Sequence, residues 1–286
     1  MNGVSVKVYG KINLSLKVCG IESGYHILDT VMASISVFDV VSVCPRADGE
    51  FTVTFNKTSD GANSNAMKAA RLFTEAFGGY GADIRITTGI PSGAGLGGSS
   101  ADAAGVIRAL AKLQGVDEND ETLVKIAAKV GSDVPYMLFG GYARLVGTAS
   151  GVSRFAASSG AKILLAGKGA VNTGECFRAF DEGKTAGTRP DNDELIAALT
   201  AGNAEKAAGN YINELQPYAM ALNPGVSEAI AIMKEAGLTA CMTGSGSYSF
   251  GLGEEIALAT AETALKACGF DVIRAVVLPR GVEFIG

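Results

Sequence analysis

The chain has no tryptophan and one histidine, and its five cysteines stand far apart with no C-x-x-C pair. A single histidine cannot build a metal centre. An odd number of scattered cysteines suits neither a zinc site nor a disulfide framework. No apolar run approaches the ~18–20 residues that span a bilayer, and the alternating stretch from Met1 to Val18 lacks the apolar centre of a signal peptide. Positive charge is not in excess either. The 24 Lys and Arg against 29 Asp and Glu leave a net charge of −5, which does not suit a phosphate backbone. Disorder is excluded, because 48% of the 286 residues are hydrophobic and 19% charged. These features predict a soluble cytoplasmic protein with a small-molecule partner, bound to neither nucleic acid nor membrane. Its assembly, a monomer or weak homodimer, leaves no mark in the sequence.

Glycine is abundant, with 38 residues, about twice the usual ~7% share. Residues 5–18 alternate as a strand kinked at Gly10, and strand patterns recur at 31–44, 50–56, 82–90, 136–146 and 161–166. Helical spacing marks 65–77, capped by Asn63 or Ser64, then 99–113 and 120–130, the last stopped by Gly131. The second half reads as helices at 192–200, 203–215, 224–236 and 254–267, with strands at 239–252 and 271–278. Strands and helices come in runs, which predicts α+β rather than a doubly wound sheet. The small, polar stretch 153–160 predicts a boundary between domains 1–152 and 153–286.

The most informative segment runs from Pro91 through Ser92, Gly93, Ala94, Gly95, Leu96, Gly97, Gly98, Ser99 and Ser100 to Ala101. Its glycines permit positive φ and close approach of a ligand to the backbone. The helix that follows points its positive end at the same place, which favours an anion such as phosphate over a plain turn. Walker A chemistry needs a lysine where Ser99 stands. Gly93, Gly95 and Gly98 satisfy G-x-G-x-x-G, but Pro91-Ser92 separates them from the strand, so a dinucleotide site fits poorly.

Pro91 to Ala101 instead closely resembles the P-x-x-x-G-L-G-S-S-A loop of the GHMP kinases. Two further motifs of that family stand in order, Lys11-Ile12-Asn13-Leu14 near the start and Met242-Thr243-Gly244-Ser245-Gly246-Ser247 near the end. Gly24-Tyr25-His26, Ser100-Ala101-Asp102-Ala103-Ala104 and Gly131-Ser132-Asp133-Val134-Pro135 are similar to the branch that phosphorylates a diphosphocytidyl-tagged methylerythritol for isoprenoid synthesis. The resemblance implies a two-domain fold, an S5-domain-2-like amino-terminal half and a ferredoxin-like carboxy-terminal half. It implies ATP as donor, with Mg²⁺ arriving on the nucleotide. By the same resemblance Asp133 takes the proton of the acceptor hydroxyl, and Lys11 orients that hydroxyl or neutralises phosphoryl charge. Tyr25 and His26 serve the cytosine, Phe177, four residues after Thr173, supplies a second ring, Asn13 contacts a hydroxyl or phosphate, and Asn65 lines the adenine pocket.

Each residue also has a plainer reading. Asp133 suits a turn cap, Lys11 a snorkelling strand lysine, His26 and Phe177 ordinary packing, and Asn65 a helix cap. Asp102 suits the helix dipole and is not expected to be catalytic. Another GHMP kinase, of homoserine or mevalonate type, would leave Tyr25 and His26 unexplained. A nucleotide sensor of the same fold would have no use for Lys11 with Asp133.

Overall fold

A computed structural model describes residues 3–22, 24–56, 61–147, 151–183 and 188–285. The chain runs through β1 (Val4–Glu22), β2 (Tyr25–Arg46), β3 (Phe51–Phe55), α1 (Asn65–Phe77), β4 (Gly81–Thr87), α2 (Gly98–Gln114), α3 (Glu121–Val130), α4 (Val134–Met137), β5 (Tyr142–Gly147), β6 (Val152–Arg154) and β7 (Lys162–Gly167). It continues through α5 (Thr173–Glu182), α6 (Asn192–Thr200), α7 (Ala204–Ala208), α8 (Gln216–Leu222), α9 (Pro224–Glu235), β8 (Thr239–Met242), β9 (Ser249–Leu252), α10 (Glu255–Ala267), β10 (Asp271–Leu278) and β11 (Val282–Ile285). The architecture is α+β.

The strands join in the order β11-β1-β2-β10-β7-β9-β8, with β4 and β5 also on β2, β3 on β4 and β6 on β5. Two apolar cores follow from this layout. In one, Phe73, Ile107 and Leu110 of the α1 and α2 helices join Val8, Val41, Ile84 and Ile86 of the strands. In the other, Ala219, Met233 and Leu258 of α8–α10 join Leu164 and Met242. Strand β10 pairs with β7 over 271–276 and with β2 at Ile35 and Ser34, so it links the two groups of strands.

The middle of β1 is buried on both faces, so its alternating polar residues Lys11, Asn13 and Ser15 are buried along with its apolar ones. Its ladder with β2 shifts register at three places, between Tyr9 and Lys11, Asn13 and Ser15, and Val18 and Gly20. Such irregularities free backbone groups and re-aim side chains. Here the freed groups find partners in distant loops. Lys11 N donates to Leu96 O at 2.9 Å, and Asn13 N donates to the Thr243 hydroxyl at 2.9 Å.

Several sequence expectations differ in detail. The strand expected at 136–146 begins as α4, with Pro135 in its first turn and the buried Tyr136 hydroxyl bonded to Gly141 O, and becomes extended only at Tyr142. The strand expected at 239–252 is a pair, β8 and β9, separated by the Thr243–Tyr248 turn. The helix expected at 203–215 stops at Ala208. Beyond it Ile212 O and Glu214 N bond the backbone of Leu16, so tertiary pairing replaces the helical ladder. Helix α5 and strand β11 carried no sequence expectation, and Val152–Arg154, at the edge of the expected boundary, forms β6 against β5. Ser64 rather than Asn63 caps α1, accepting from Met67 N at 3.2 Å.

Helix α2 lies close on β1 and β2 because Gly105 faces them. A Cβ there would lie 2.5 Å from Val8 Cγ1 and 2.9 Å from Val41 Cγ2. Alanine is favoured over glycine by ~1 kcal/mol within a helix, but overpacking costs ~1–3 kcal/mol. Gly105→Ala is therefore expected to lower stability by about 1 kcal/mol in equilibrium urea unfolding. A more stable variant would show that the helix can move off the sheet at no cost.

Candidate active site

The loop from Thr88 to Gly97 leaves β4 and runs into α2. Gly93, Gly95 and Gly97 have φ of 69°, 72° and 77°, values that L side chains rarely adopt. At Gly95 space is short as well, since a Cβ would lie 2.5 Å from Thr243 O. Helix α2 begins at Gly98, one residue before the expected Ser99, with Gly97 as a cap that offers no side-chain hydrogen bond. By contrast α1, α3, α5 and α6 each receive a side-chain cap, from Ser64, Asp120, Asn172 and Asp191. The amino end of α2 thus keeps unpaired backbone donors and its positive pole without a protein acceptor or an acidic residue in the first turn. That is the arrangement a phosphate completes.

A cavity of about 520 Å³ opens beside this loop. Gly95, Gly97, Ser99 and Ser100 line one side, Lys11, Asn13 and Asp133 the middle, and Tyr25, His26, Thr173 and Phe177 the far end. Lys11 is almost fully buried, with its Nζ donating to Asn13 Oδ1 at 2.6 Å and lying 3.5 Å from Asp133 Oδ2. A lysine so buried is not a solvated strand residue. Asp133 precedes α4 yet makes no capping hydrogen bond with its side chain, so the turn-cap reading is not what the geometry shows. Both groups present their charges to the same small volume.

At the far end His26 stacks on Phe177, with ring centres 4.4 Å apart and planes 25° apart, and its Nε2 lies 2.8 Å from Asp181 Oδ1. The Phe177 ring thus meets the imidazole directly. Tyr25, at the tip of the β1–β2 hairpin, is 74% exposed and free to take a planar partner. The Thr173 hydroxyl reaches that of Ser245 at 2.8 Å, joining α5 to the second glycine turn.

The remaining loop residues divide by face. Ser92 and Gly93 are exposed and Pro91 and Gly98 partly so, whereas the side chains of Ala94, Leu96 and Ala101 are packed into the core, leaving only their backbone to a ligand. Asn65 opens α1, and its Nδ2 donates to Ser99 Oγ at 3.4 Å. Three contributors carried no role in the sequence reading. Asp181 holds His26 from 155 positions away. Asn213 donates to Met242 O at 3.0 Å and Gly244 O at 2.8 Å, setting the second glycine turn. Thr243 receives Asn13 N. Thr243 lies in the second glycine motif at 242–247 and Asn213 in the segment Asn213-Glu214-Leu215, whereas nothing in the sequence marks Asp181. Among the described residues no three His, Cys, Asp or Glu side chains converge as a metal-binding group, and no helix is long and apolar enough to cross a membrane.

Residues 64–141 match the family model for the GHMP kinases N terminal domain, and 192–270 match that for the GHMP kinases C terminal. The chain belongs to the GHMP kinase family. It is 35% identical over 258 residues to the 4-diphosphocytidyl-2-C-methyl-D-erythritol kinase of Cutibacterium acnes, covering 85% of this chain and 83% of that protein. It is 37% identical over 257 residues to the protein of that name from Desulfitobacterium hafniense, covering 88% and 87%. A crystal structure of 4-(cytidine 5'-diphospho)-2C-methyl-D-erythritol kinase superposes with a TM-score of 0.78 at 30% identity, covering 96% of this chain and 98% of that one. Homoserine kinase from Cytophaga hutchinsonii shares the fold, with a TM-score of 0.76 at 16% identity over 100% of this chain and 98% of that one. The two-domain GHMP kinase fold expected from the motifs is therefore the fold of this chain.

The contact between the two glycine turns sets a test of the site. Gly95→Ala combines a positive φ with a Cβ 2.5 Å from Thr243 O, so the loop must shift, at a backbone cost of about 1–3 kcal/mol. ATP binding, followed by calorimetry, is expected to weaken at least about tenfold, the equivalent of ~1.4 kcal/mol. Unchanged affinity would show that the phosphate loop does not depend on this contact.

Proposed function

We propose that the chain is an ATP-dependent kinase that phosphorylates the 2-hydroxyl of 4-diphosphocytidyl-2-C-methyl-D-erythritol in isoprenoid precursor synthesis. One observation carries the reading: a single cavity holds the uncapped amino end of α2, the Lys11–Asp133 pair and the aromatic cluster of Tyr25, His26 and Phe177. These are the parts required to hold a triphosphate, activate a hydroxyl and bind a base, and they occur in that spatial order. Identity of 35–37% to curated kinases of this substrate supports the same reading. On this reading residues 1–152 supply most of the nucleotide and proton-transfer groups, and 153–286 contribute Thr173 and Phe177 to the acceptor end.

Phosphoryl transfer asks the protein for positioning and charge stabilisation rather than covalent chemistry. The backbone N–H groups between Ser92 and Ser99 hold the phosphate oxygens, and Asn65, bonded to Ser99, stands toward the nucleoside. The acceptor hydroxyl sits between Lys11 and Asp133. As its oxygen bonds to the γ-phosphorus, the bond from that phosphorus to the bridging oxygen of ADP breaks, and Asp133 receives the hydroxyl proton. Lys11, pinned by Asn13, holds a positive charge beside the transferring oxygens. Mg²⁺ carried in with ATP would neutralise phosphate charge beside the Ser99 and Ser100 hydroxyls.

The cytidine tag is remote from the reacting atoms, and its binding energy fixes the hydroxyl in line with the γ-phosphate. With Nε2 engaged by Asp181, His26 keeps its other ring nitrogen for the base edge. A homoserine or mevalonate kinase would have no use for this aromatic end, and a non-catalytic sensor none for a buried lysine beside a carboxylate.

Transfer of labelled γ-phosphate from ATP to a panel of acceptor alcohols tests the assignment directly, and equal use of untagged methylerythritol phosphate would overturn the substrate. Asp133→Asn is expected to keep the fold and lose about 10²–10⁴ in turnover, the usual worth of general acid–base catalysis. Near-normal turnover would return Asp133 to a structural role. Tyr25→Ala is expected to weaken use of the tagged acceptor by about 1–3 kcal/mol, the worth of one stacked base, with the KM for ATP almost unchanged. A matching rise in both KM values would mean that Tyr25 serves the fold rather than the base.

A further inference from the structure

Beneath the phosphate loop lie two buried carboxyl groups that the mechanism above does not use. Asp39, on β2, is 2% exposed, and Asp102, in the second turn of α2, is 5% exposed. Asp39 Oδ1 accepts the backbone N–H of Gly89 at 2.6 Å and of Ile90 at 2.7 Å, the two residues that lead into Pro91. The side chains of Asp39 and Asp102 share a hydrogen bond, while Asp102 Oδ1 has no hydrogen-bond partner. The pair therefore touches both stems of the loop, the approach at 89–90 and the helix that follows at 102.

We propose that Asp102 is a positioning residue for ATP, held as a neutral acid that donates to Asp39 and so clasps the two stems of the phosphate loop together. The proposal rests on the reading of that loop as the ATP site. Two buried carboxyls facing each other resist being charged together out of water, which favours one of them keeping its proton. Asp39, with two backbone donors, is the better home for the charge, and Asp102, with a bare second oxygen, for the proton. Burial, then the charge of Asp39, then the hydrogen bond to it raise the Asp102 carboxyl to about 9. The arrangement also limits the negative charge beneath the triphosphate to one unit.

Several ionisable groups on elements packed against α2 are engaged elsewhere. Lys11 of β1 binds Asn13 and Asp133, Lys68 of α1 binds Val130 O, and Lys125 of α3 pairs with Glu121. Tyr136 of α4 bonds Ser34 and Gly141, and Glu283 of β11 pairs with Lys7 and Arg280. Asp39 is the charged group that bears on Asp102. The sign of the pH effect follows. Below its raised pKa, Asp102 donates and the clasp holds. Above it, two carboxylates face each other and the loop stems are pushed apart.

The test uses the intact protein and three forms: unaltered, Asp102→Asn, which keeps a donor but cannot ionise, and Asp102→Leu, which keeps bulk but cannot donate. ATP affinity is measured by calorimetry from about pH 7 to about pH 10, a range that brackets the Asp102 transition. The unaltered protein is expected to lose about tenfold in affinity over the upper part of that range, as one ionisation does per pH unit beyond its pKa. Asp102→Asn should match it at neutral pH and lose little of its affinity at high pH. Asp102→Leu should bind ATP about five- to tenfold more weakly at every pH, the worth of about one hydrogen bond to a charged group, with the KM for the acceptor unchanged. If Asp102→Leu fails to fold, the pH comparison of the other two decides alone. Parallel pH curves for Asp102→Asn and the unaltered protein would overturn the clasp, as would full ATP affinity in a folded Asp102→Leu. Failure of the unaltered protein to transfer γ-phosphate at neutral pH would instead strike the kinase reading itself.

Discussion

The break in the ladder between β1 and β2 at Gly10 is the constraint on which the rest of the site depends. In a regular antiparallel pair alternate residues of β1 would bond to β2 and the others would face its opposite edge, and Lys11 would stand in an ordinary alternating row. Instead the register shifts between Tyr9 and Lys11, Lys11 N goes to Leu96 O, and Tyr9 N goes to Gly281 O. Gly10 accommodates this because its missing Cβ would lie 3.2 Å from Leu96 O. The phosphate loop is thereby bonded directly to the strand that bears the lysine. A few residues on, the second shift frees Asn13 N for Thr243, and Asn13 Oδ1 accepts from both Lys11 and Gly244 N. Three motifs far apart in sequence become one rigid object through two irregularities in a single strand.

The chemistry-bearing residues were legible because they announce themselves in short, unusual words. Glycines at alternate positions before a serine pair have few structural uses other than an anion loop, and the helix that follows was read to within one residue. Lys11 and Asp133 could be named, yet nothing in their spacing says that Nζ and Oδ2 meet at 3.5 Å; the resemblance supplied that pairing. Asp181 was illegible for a plain reason. An aspartate on a polar helix has many uses, and its partner lies 155 residues away. Helix α5 was missed because it is only ten residues long and its apolar stripe is limited to Cys176, Phe177 and Phe180. The end of the helix expected at 203–215 was misjudged because propensity cannot foresee that Leu16 will claim the backbone of Ile212 and Glu214.

Electrostatics in the site are arranged by omission as much as by placement. Six helices, α1, α3, α5, α6, α7 and α9, are closed by a hydroxyl, carboxylate or amide at the amino end, each satisfying donors that would otherwise seek water. Helix α2, the longest, is not, and its first turn carries no acid. Supplying a side-chain cap there would occupy the donors that the phosphates need. The missing side-chain cap costs only a few tenths of a kcal/mol, because the cap position is glycine, and an anion bound there offsets it. The same logic applies to Asp133, whose carboxylate precedes α4 but leaves that helix's N–H groups alone.

The topology explains how strands far apart in sequence hold such a site. Strands β10 and β11, the last two elements, return to lie on β2 and β1, so the chain's end is woven into the sheet that carries Lys11. Glu283 accepts from the Tyr9 hydroxyl at 3.1 Å, two residues before that lysine. On the opposite side the second glycine turn is fastened by Asn213 and by Asn13, both buried and both bonded through more than one atom. Amides suit this task. Each offers donors and an acceptor without adding a charge beside Lys11 and Asp133. Replacing either asparagine by an acid of the same shape would keep the packing but lose a donor and add negative charge beside the phosphate loop. The polar frame that fastens the second glycine turn is therefore neutral, and the opposite charges in the middle of the cavity are those of Lys11 and Asp133.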